Sequence, residues 1–111
     1  MELKEEQVQG VTVLQVTGRL DSTTSPALGE RLSSILDTSK ARLVVDFSQL
    51  EYISSAGFRV LLQAAKRAEQ NTAKLVLCGV SGKVKQLFDL GGFLDLFSIT
   101  GTREEGITAA G

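Results

Sequence analysis

The sequence predicts an α/β fold: one mixed β-sheet of four to five strands, with about four α-helices packed mostly on one face. Three observations carry that expectation. Two short runs, Leu43-Val-Val-Asp-Phe47 and Leu75-Val-Leu-Cys78, are almost continuously apolar, the pattern of strands covered on both faces. Segments with apolar residues at helical spacing lie between and around them. The 111 residues are 42% hydrophobic and 23% charged, ordinary values for one globular domain.

Each element has its own signal. Residues 3–9 and 11–17 read as two strands around Gly10. In the second, Val11 and Val13 are followed, one step off phase, by Leu14 and Val16, as in a mostly buried strand. Gly18-Arg-Leu-Asp-Ser-Thr-Thr-Ser25 reads as a loop. Ser25-Pro26 starts a helix, with Ser as the N-cap and Pro at the first position, where its missing N–H costs nothing. Leu28, Leu32, Ile35 and Leu36 make residues 26–37 amphipathic. Leu43–Phe47 is a central strand. Residues 55–70 form the next helix, with Phe58, Leu61, Leu62, Ala65 and Ala68 on its apolar face and Arg59, Gln63, Lys66, Arg67 and Gln70 on its wet one. After the strand Leu75–Cys78, Ser81 or Gly82 opens a helix that turns Val84, Leu87, Phe88 and Leu90 inward, and Gly91-Gly92 stops it. Phe93, Leu94, Leu96 and Phe97 lead into a short strand at 97–99. A last helix over 102–109 is capped by Thr102, with Glu105 at the capping-box spacing.

Composition removes most chemistries. The chain has no His, which excludes a Ser-His-Asp triad, a His general base and any His metal site. Its one Cys cannot form an internal disulfide, a redox pair or a zinc knuckle. Cys78 lies in an apolar run and reads as a small buried side chain, which fits a reducing, cytoplasmic setting. With 12 basic against 13 acidic residues, no Trp and 5% aromatics, nothing points to nucleic acid. The polar start is no signal peptide, and no apolar run suits direct membrane insertion. No cofactor or metal is implied. Gly79-Val-Ser-Gly82-Lys83 falls short of a phosphate loop, which needs four residues between its glycines and Ser or Thr after the Lys; it reads as a strand-to-helix turn. What remains is a non-enzymatic binding module without a heptad pattern, expected to be a monomer.

The informative stretch is Val44-Val-Asp-Phe-Ser-Gln-Leu-Glu-Tyr-Ile-Ser-Ser-Ala-Gly57. A buried strand ends at Asp46 or Phe47, a turn follows, and two serines stand directly before a helix. Either serine can cap that helix by accepting a backbone N–H. A hydroxyl there is also where a phosphate is welcome, because free N–H groups and the positive dipole end favour an anion by about 0.3–1 kcal/mol. The residues alone leave cap and phosphate acceptor both open.

The order of these pieces resembles the STAS family, in particular bacterial anti-sigma factor antagonists, over roughly residues 3–104. Gly18-Arg-Leu-Asp21 resembles the family's loop after the second strand, and Val44-Val-Asp-Phe-Ser48 its central strand ending in Asp. Tyr52-Ile-Ser-Ser-Ala-Gly57 resembles its phosphorylation loop. Leu75-Val-Leu-Cys-Gly79 and Val84-Lys-Gln-Leu-Phe-Asp-Leu-Gly-Gly-Phe93 resemble the fourth strand and the helix after it. The resemblance implies a single STAS domain over residues 1–111 with the STAS fold. It implies partner switching: unphosphorylated, the domain binds an anti-sigma factor serine kinase, phosphorylation ends the complex, and a serine phosphatase resets it. The acceptor aligns with Ser55, with Ser54, in place of the family's Asp, as second candidate. The partner-binding residues implied are Asp21, Ser22, Asp46, Ser54, Ser55, Ala56, Gly57, Phe58 and Arg59. An alternative within the same fold is a subunit of an ABC-type lipid-transport complex that binds without phosphorylation.

Overall fold

A computed structural model describes residues 1–111. The elements run β1 (Glu2–Val8), β2 (Val11–Leu20), α1 (Ser25–Leu36), β3 (Arg42–Asp46), β4 (Leu50–Ile53), α2 (Ser55–Gln70), β5 (Lys74–Cys78), α3 (Gly82–Leu90), a 3-10 turn (Leu94–Leu96), β6 (Ser98–Thr100) and α4 (Arg103–Ala110). The sheet order is β1-β2-β3-β5-β6, with β4 paired to β2. Only β1 is antiparallel, joined to β2 by a tight turn in which Gln9 and Gly10 both take positive φ. The β2–β3, β2–β4, β3–β5 and β5–β6 pairs are parallel, so those strands end at one edge of the sheet.

β2 is shared lengthwise between two partners. Thr12–Gln15 pair with Leu43–Asp46 of β3, and Gly18–Leu20 pair with Leu50–Ile53 of β4 across an irregularity at Gly18/Arg19. The sheet therefore has six strands where four to five were expected. β4 escapes sequence reading because four residues, one of them Glu51, are too few to show a period. The same pairing makes β2 a strand through Leu20, so Gly18-Arg19-Leu20 is strand and not loop.

Two cores flank the sheet. On one face α1, α2 and α3 cover Leu14, Val16, Leu43, Val45 and Leu77; on the other, Val11, Val13, Val44, Val76 and Cys78 pack against Ala110 of α4. This explains the phase shift in β2. Odd positions Val11 and Val13 meet α4, whereas even positions Leu14, Val16 and Leu20 meet the larger helical layer. α4 carries the expected capping box, with Thr102 and Glu105 satisfying each other's backbone N–H.

Three local expectations change. The N-cap of α1 is Thr24; Ser25 lies inside the helix, buried, and its Oγ donates to the Asp21 carbonyl. Leu90, expected inward, is 85% exposed on the outer side of α3's last turn. Leu62 is exposed as well, and Ala64 takes a buried place on the α2 face.

α3 is held by aromatic rings. Phe88, fully buried, meets Phe58 edge-on at 4.8 Å, Phe97 at 6.0 Å and Phe47 at 6.4 Å, while Phe58 stacks on Phe93 at 4.3 Å. Such pairs contribute about 0.5–1.5 kcal/mol beyond area burial. Phe88→Ala should cost about 3–5 kcal/mol in urea unfolding, because a cavity opens among three rings. Leu90→Ala, two residues on, should stay within about 0.5 kcal/mol.

Candidate functional site

The parallel strands deliver four loops to one edge of the sheet, the place where open α/β sheets bind their ligands. They are the loop after Leu20, the turn at Phe47–Gln49, the serine turn at Ser54-Ser55, and the turn at Gly79–Ser81.

The serine turn is stitched to the end of β2. Ser54 N–H donates to the Leu20 carbonyl at 2.9 Å, while Ser54 Oγ accepts the Gly57 N–H at 3.4 Å and Ser54 O accepts the Phe58 N–H. Ser54 is thus the N-cap of α2, in extended conformation. Ser55 is the first helical residue and is exposed. The side-chain hydrogen bonds of this region go to Ser54 and Asp46 and none to Ser55. Gly57 makes the close approach possible: a Cβ there would stand 2.8 Å from Ile53 Cγ1 and 2.9 Å from Leu20 Cγ.

Asp46 works beneath this edge. It is 5% exposed, and its Oδ1 accepts the Ser48 N–H at 2.9 Å, turning the chain from β3 into β4. Gly79 closes over that turn with φ +70°, where a Cβ would come within 2.7 Å of Ser48 N. Beside Asp46, the Cys78 thiol is pushed up to about 12, first by burial and then by the Asp46 and Glu104 charges. Asp21 is tied into its own loop. Its Oδ1 accepts from Thr23 N at 2.9 Å, Thr23 Oγ1 at 2.7 Å and Thr24 N at 3.2 Å. These bonds, the Thr23 hydroxyl foremost, hold the carboxyl below the ordinary aspartate range.

Of the nine expected partner-binding residues, Ser22, Ser55 and Arg59 are exposed, and Asp21, Ser54 and Ala56 are half-buried. Asp46, Gly57 and Phe58 are buried and support the edge from below. Sequence reasoning missed Tyr52. Its ring carries the Arg19 guanidinium at 4.4 Å and the Lys83 ammonium at 6.0 Å. Tyr52 opens a groove of about 480 Å³ between α2 and α3, which Ser54, Ser55 and Arg59 also line, over a floor of Phe58, Leu62, Leu87 and Phe93. The signal was available in the Arg19–Tyr52 register of β2 and β4, but only once β4 is known. A depression of about 500 Å³ between the C-terminal half of α2 and the start of β5 lies at the opposite end of these strands, away from the serines.

Residues 2–106 match the STAS domain family. The chain belongs to the STAS family. Among its relatives is BtrV of Bordetella bronchiseptica, which carries the name anti-sigma factor antagonist. It is 34% identical over 109 residues, covering 98% of this chain and 94% of BtrV. The crystal structure of an anti-sigma factor antagonist from Mycobacterium paratuberculosis superposes with TM-score 0.80 at 27% identity, over 98% of this chain and 92% of that one. SpoIIAA of Bacillus, known in unphosphorylated and phosphorylated forms, shares the fold. Both forms give TM-score 0.72 over 97% of this STAS domain, at 17% and 18% identity and over 96% and 98% of SpoIIAA. No helix of the STAS chain is long and apolar enough to cross a membrane.

Two outcomes follow from the titrating groups. Asp21 stabilises this fold as a carboxylate, so its contribution is present above the ordinary aspartate value of about 3.9 and is lost as pH falls through its lower folded value. Urea midpoints should place Asp21→Asn below wild type at pH 7, with the gap closing in acid; a pH-independent gap would contradict the carboxylate's role. Cys78 should be inert to a thiol reagent at about pH 8 in the folded protein and react fully in denaturant, because neither its accessibility nor its ionisation favours attack.

Proposed function

We propose that this STAS domain is an anti-sigma factor antagonist that works by partner switching. Unphosphorylated, it binds an anti-sigma factor that is also a serine kinase. Phosphorylation of Ser55 ends the complex, and a serine phosphatase restores it. The domain itself catalyses nothing and acts in the cytoplasm.

One observation carries the assignment: the two serines have different duties. Ser54 Oγ is engaged by the Gly57 N–H, whereas Ser55 stands exposed at the first position of α2 with no such bond. The free hydroxyl is the better nucleophile toward a phosphoryl donor. In that transfer the γ-phosphorus of the kinase's ATP loses its bond to ADP and gains one to Ser55 Oγ, and the hydroxyl proton passes to a base of the kinase. The relatives named as anti-sigma factor antagonists support this reading.

The energetics suit a switch at an interface. A phosphate adds about −1.5 to −2 charges and three acceptor oxygens. At an exposed N-terminal residue it meets free N–H groups and leaves the fold intact. Against a partner's surface the same dianion costs several kcal/mol through like charge or unpaired burial. Each 1.4 kcal/mol is about tenfold in affinity.

The test is phosphate incorporation with the cognate kinase and ATP, read by intact-protein mass. One phosphate should enter wild type and Ser54→Ala, and none should enter Ser55→Ala. Ser54→Ala should also lose about 0.5–2 kcal/mol of stability with its cap. Transfer to Ser55→Ala but not to Ser54→Ala would overturn the site. In pull-downs from native cells, Ser55→Asp should lose an ATP-binding kinase that wild type retains. Recovery of the same transporter subunits by both baits would overturn partner switching.

A further inference from the structure

Ser55 and Arg59 lie one turn apart on α2. At that spacing two side chains share a helix face, with about 5–6 Å between their Cβ atoms. Arg59 is exposed, and no carboxylate holds it. The chain's ion pairs join Arg31 to Glu5, Arg67 to Asp37 and Arg103 to Glu6. Ser55 and Arg59 line the same groove, whose lining contains no acidic side chain. Glu51 and Asp89, the exposed carboxylates of β4 and α3, lie outside that lining. Two further cations stand beside it, Arg19 and Lys83 on the ring of Tyr52. A chain with net charge −1 has therefore set one unpaired cation a turn from an exposed serine and two more on the Tyr52 ring that lines the same groove, and kept its carboxylates out of that lining.

We propose that Arg59 is the intramolecular counter-ion of a phosphate on Ser55, with Arg19 and Lys83 on the Tyr52 platform adding positive potential beside it. The proposal rests on Ser55 being the acceptor, and it adds what the protein does with the phosphate. A guanidinium presents a planar fork that fits two phosphate oxygens at once. From position i+4 the fork reaches back toward the first turn, where the phosphate also meets backbone N–H groups. Phosphorylation then changes the partner surface twice. It adds a dianion, and it withdraws the Arg59 charge that the unmodified domain offers to a partner's acidic groups. The modified state is stabilised by residues of its own helix, so no rearrangement of the sheet edge is needed.

The experiment installs phosphoserine at position 55 during translation and follows its second ionisation by phosphorus NMR between about pH 4 and 9. In wild type the apparent value should lie below that of the same protein in denaturant, which serves as the free reference near 6. Arg59→Gln should raise it by about half a unit, roughly a threefold change in proton affinity. Arg59→Lys should restore part of the shift, because the charge returns without the fork. Lys66→Gln, which removes an exposed cation farther along α2, is the control for net charge. Equal shifts in Arg59→Gln and Lys66→Gln would overturn the proposal, as would a wild-type value equal to the denatured one. Because the phosphate is built in without a kinase, this result is independent of whether a kinase selects Ser55. A failure of the counter-ion and a failure of the acceptor assignment are thus read in separate experiments.

Discussion

Everything at the functional edge depends on how β2 is shared. Its ten residues exceed the length of either neighbour, and two parallel strands, β3 and β4, cover it in succession. The chain must therefore leave β3, turn, and re-enter the sheet beside the same strand. The turn is made by Asp46 on the Ser48 N–H, and its far side is pinned where Gly18 N–H meets the Gln49 carbonyl. Since β4 then ends level with Leu20, the Ser54 N–H falls on the Leu20 carbonyl, and α2 can begin only there. The position of the serine turn is a consequence of strand pairing. No contact made by Ser55 itself is needed.

This arrangement explains why so many residues of the serine segment are inward-facing supports. Asp46, Gly57 and Phe58 belong to a motif that reads as a binding loop, yet each is buried and sets the height and angle of α2. Gly57 admits Leu20 and Ile53 against the first turn, and Phe58 joins that turn to α3 through Phe88 and Phe93. The exposed part of this edge is narrow: Ser55, Arg59, the cations on Tyr52 and the groove between α2 and α3. Rigid support under a small exposed patch is the arrangement expected where one added group must alter binding without altering the fold.

Much of this was legible in the sequence because long elements announce themselves. The period of α2, the β-branched runs of β3 and β5, and the capping box of α4 all carry local signals that tertiary packing had no reason to override. The serines were legible as cap-or-acceptor, but which oxygen caps was not, since either hydroxyl can reach an N–H in the following turn. Only the register of β4 on β2 decides it, and β4 is too short to be seen. The Tyr52 platform was hidden for the same reason: Arg19 and Tyr52 are 33 positions apart and become neighbours through that pairing alone. Leu90 misled because it is apolar and close to Phe88 in sequence, yet two positions along a helix of about 3.6 residues per turn put it on nearly the opposite side from Phe88.

The proposed counter-ion bears on the consequence of having a hydroxyl as the cap residue. A carboxylate at position 54 would cap α2 at least as well as Ser54 does. It would also stand beside Ser55 as a like charge, opposing a dianion on the neighbouring residue. With Ser54 in that place, the first turn keeps its cap and adds no negative charge. Of the acidic groups at that edge, Asp21 is turned into its own loop by the Thr23 and Thr24 bonds, and Asp46 is buried on the Ser48 N–H. The positive field of Arg59, Arg19 and Lys83 is therefore met by no buried or looped carboxylate within the groove. Under the proposed switch, that field would attract an acidic partner surface in the unmodified protein and be answered from within once Ser55 carries a phosphate. One local charge pattern would then serve both proposed states, and a single covalent group would suffice to choose between them without a rearrangement of the fold.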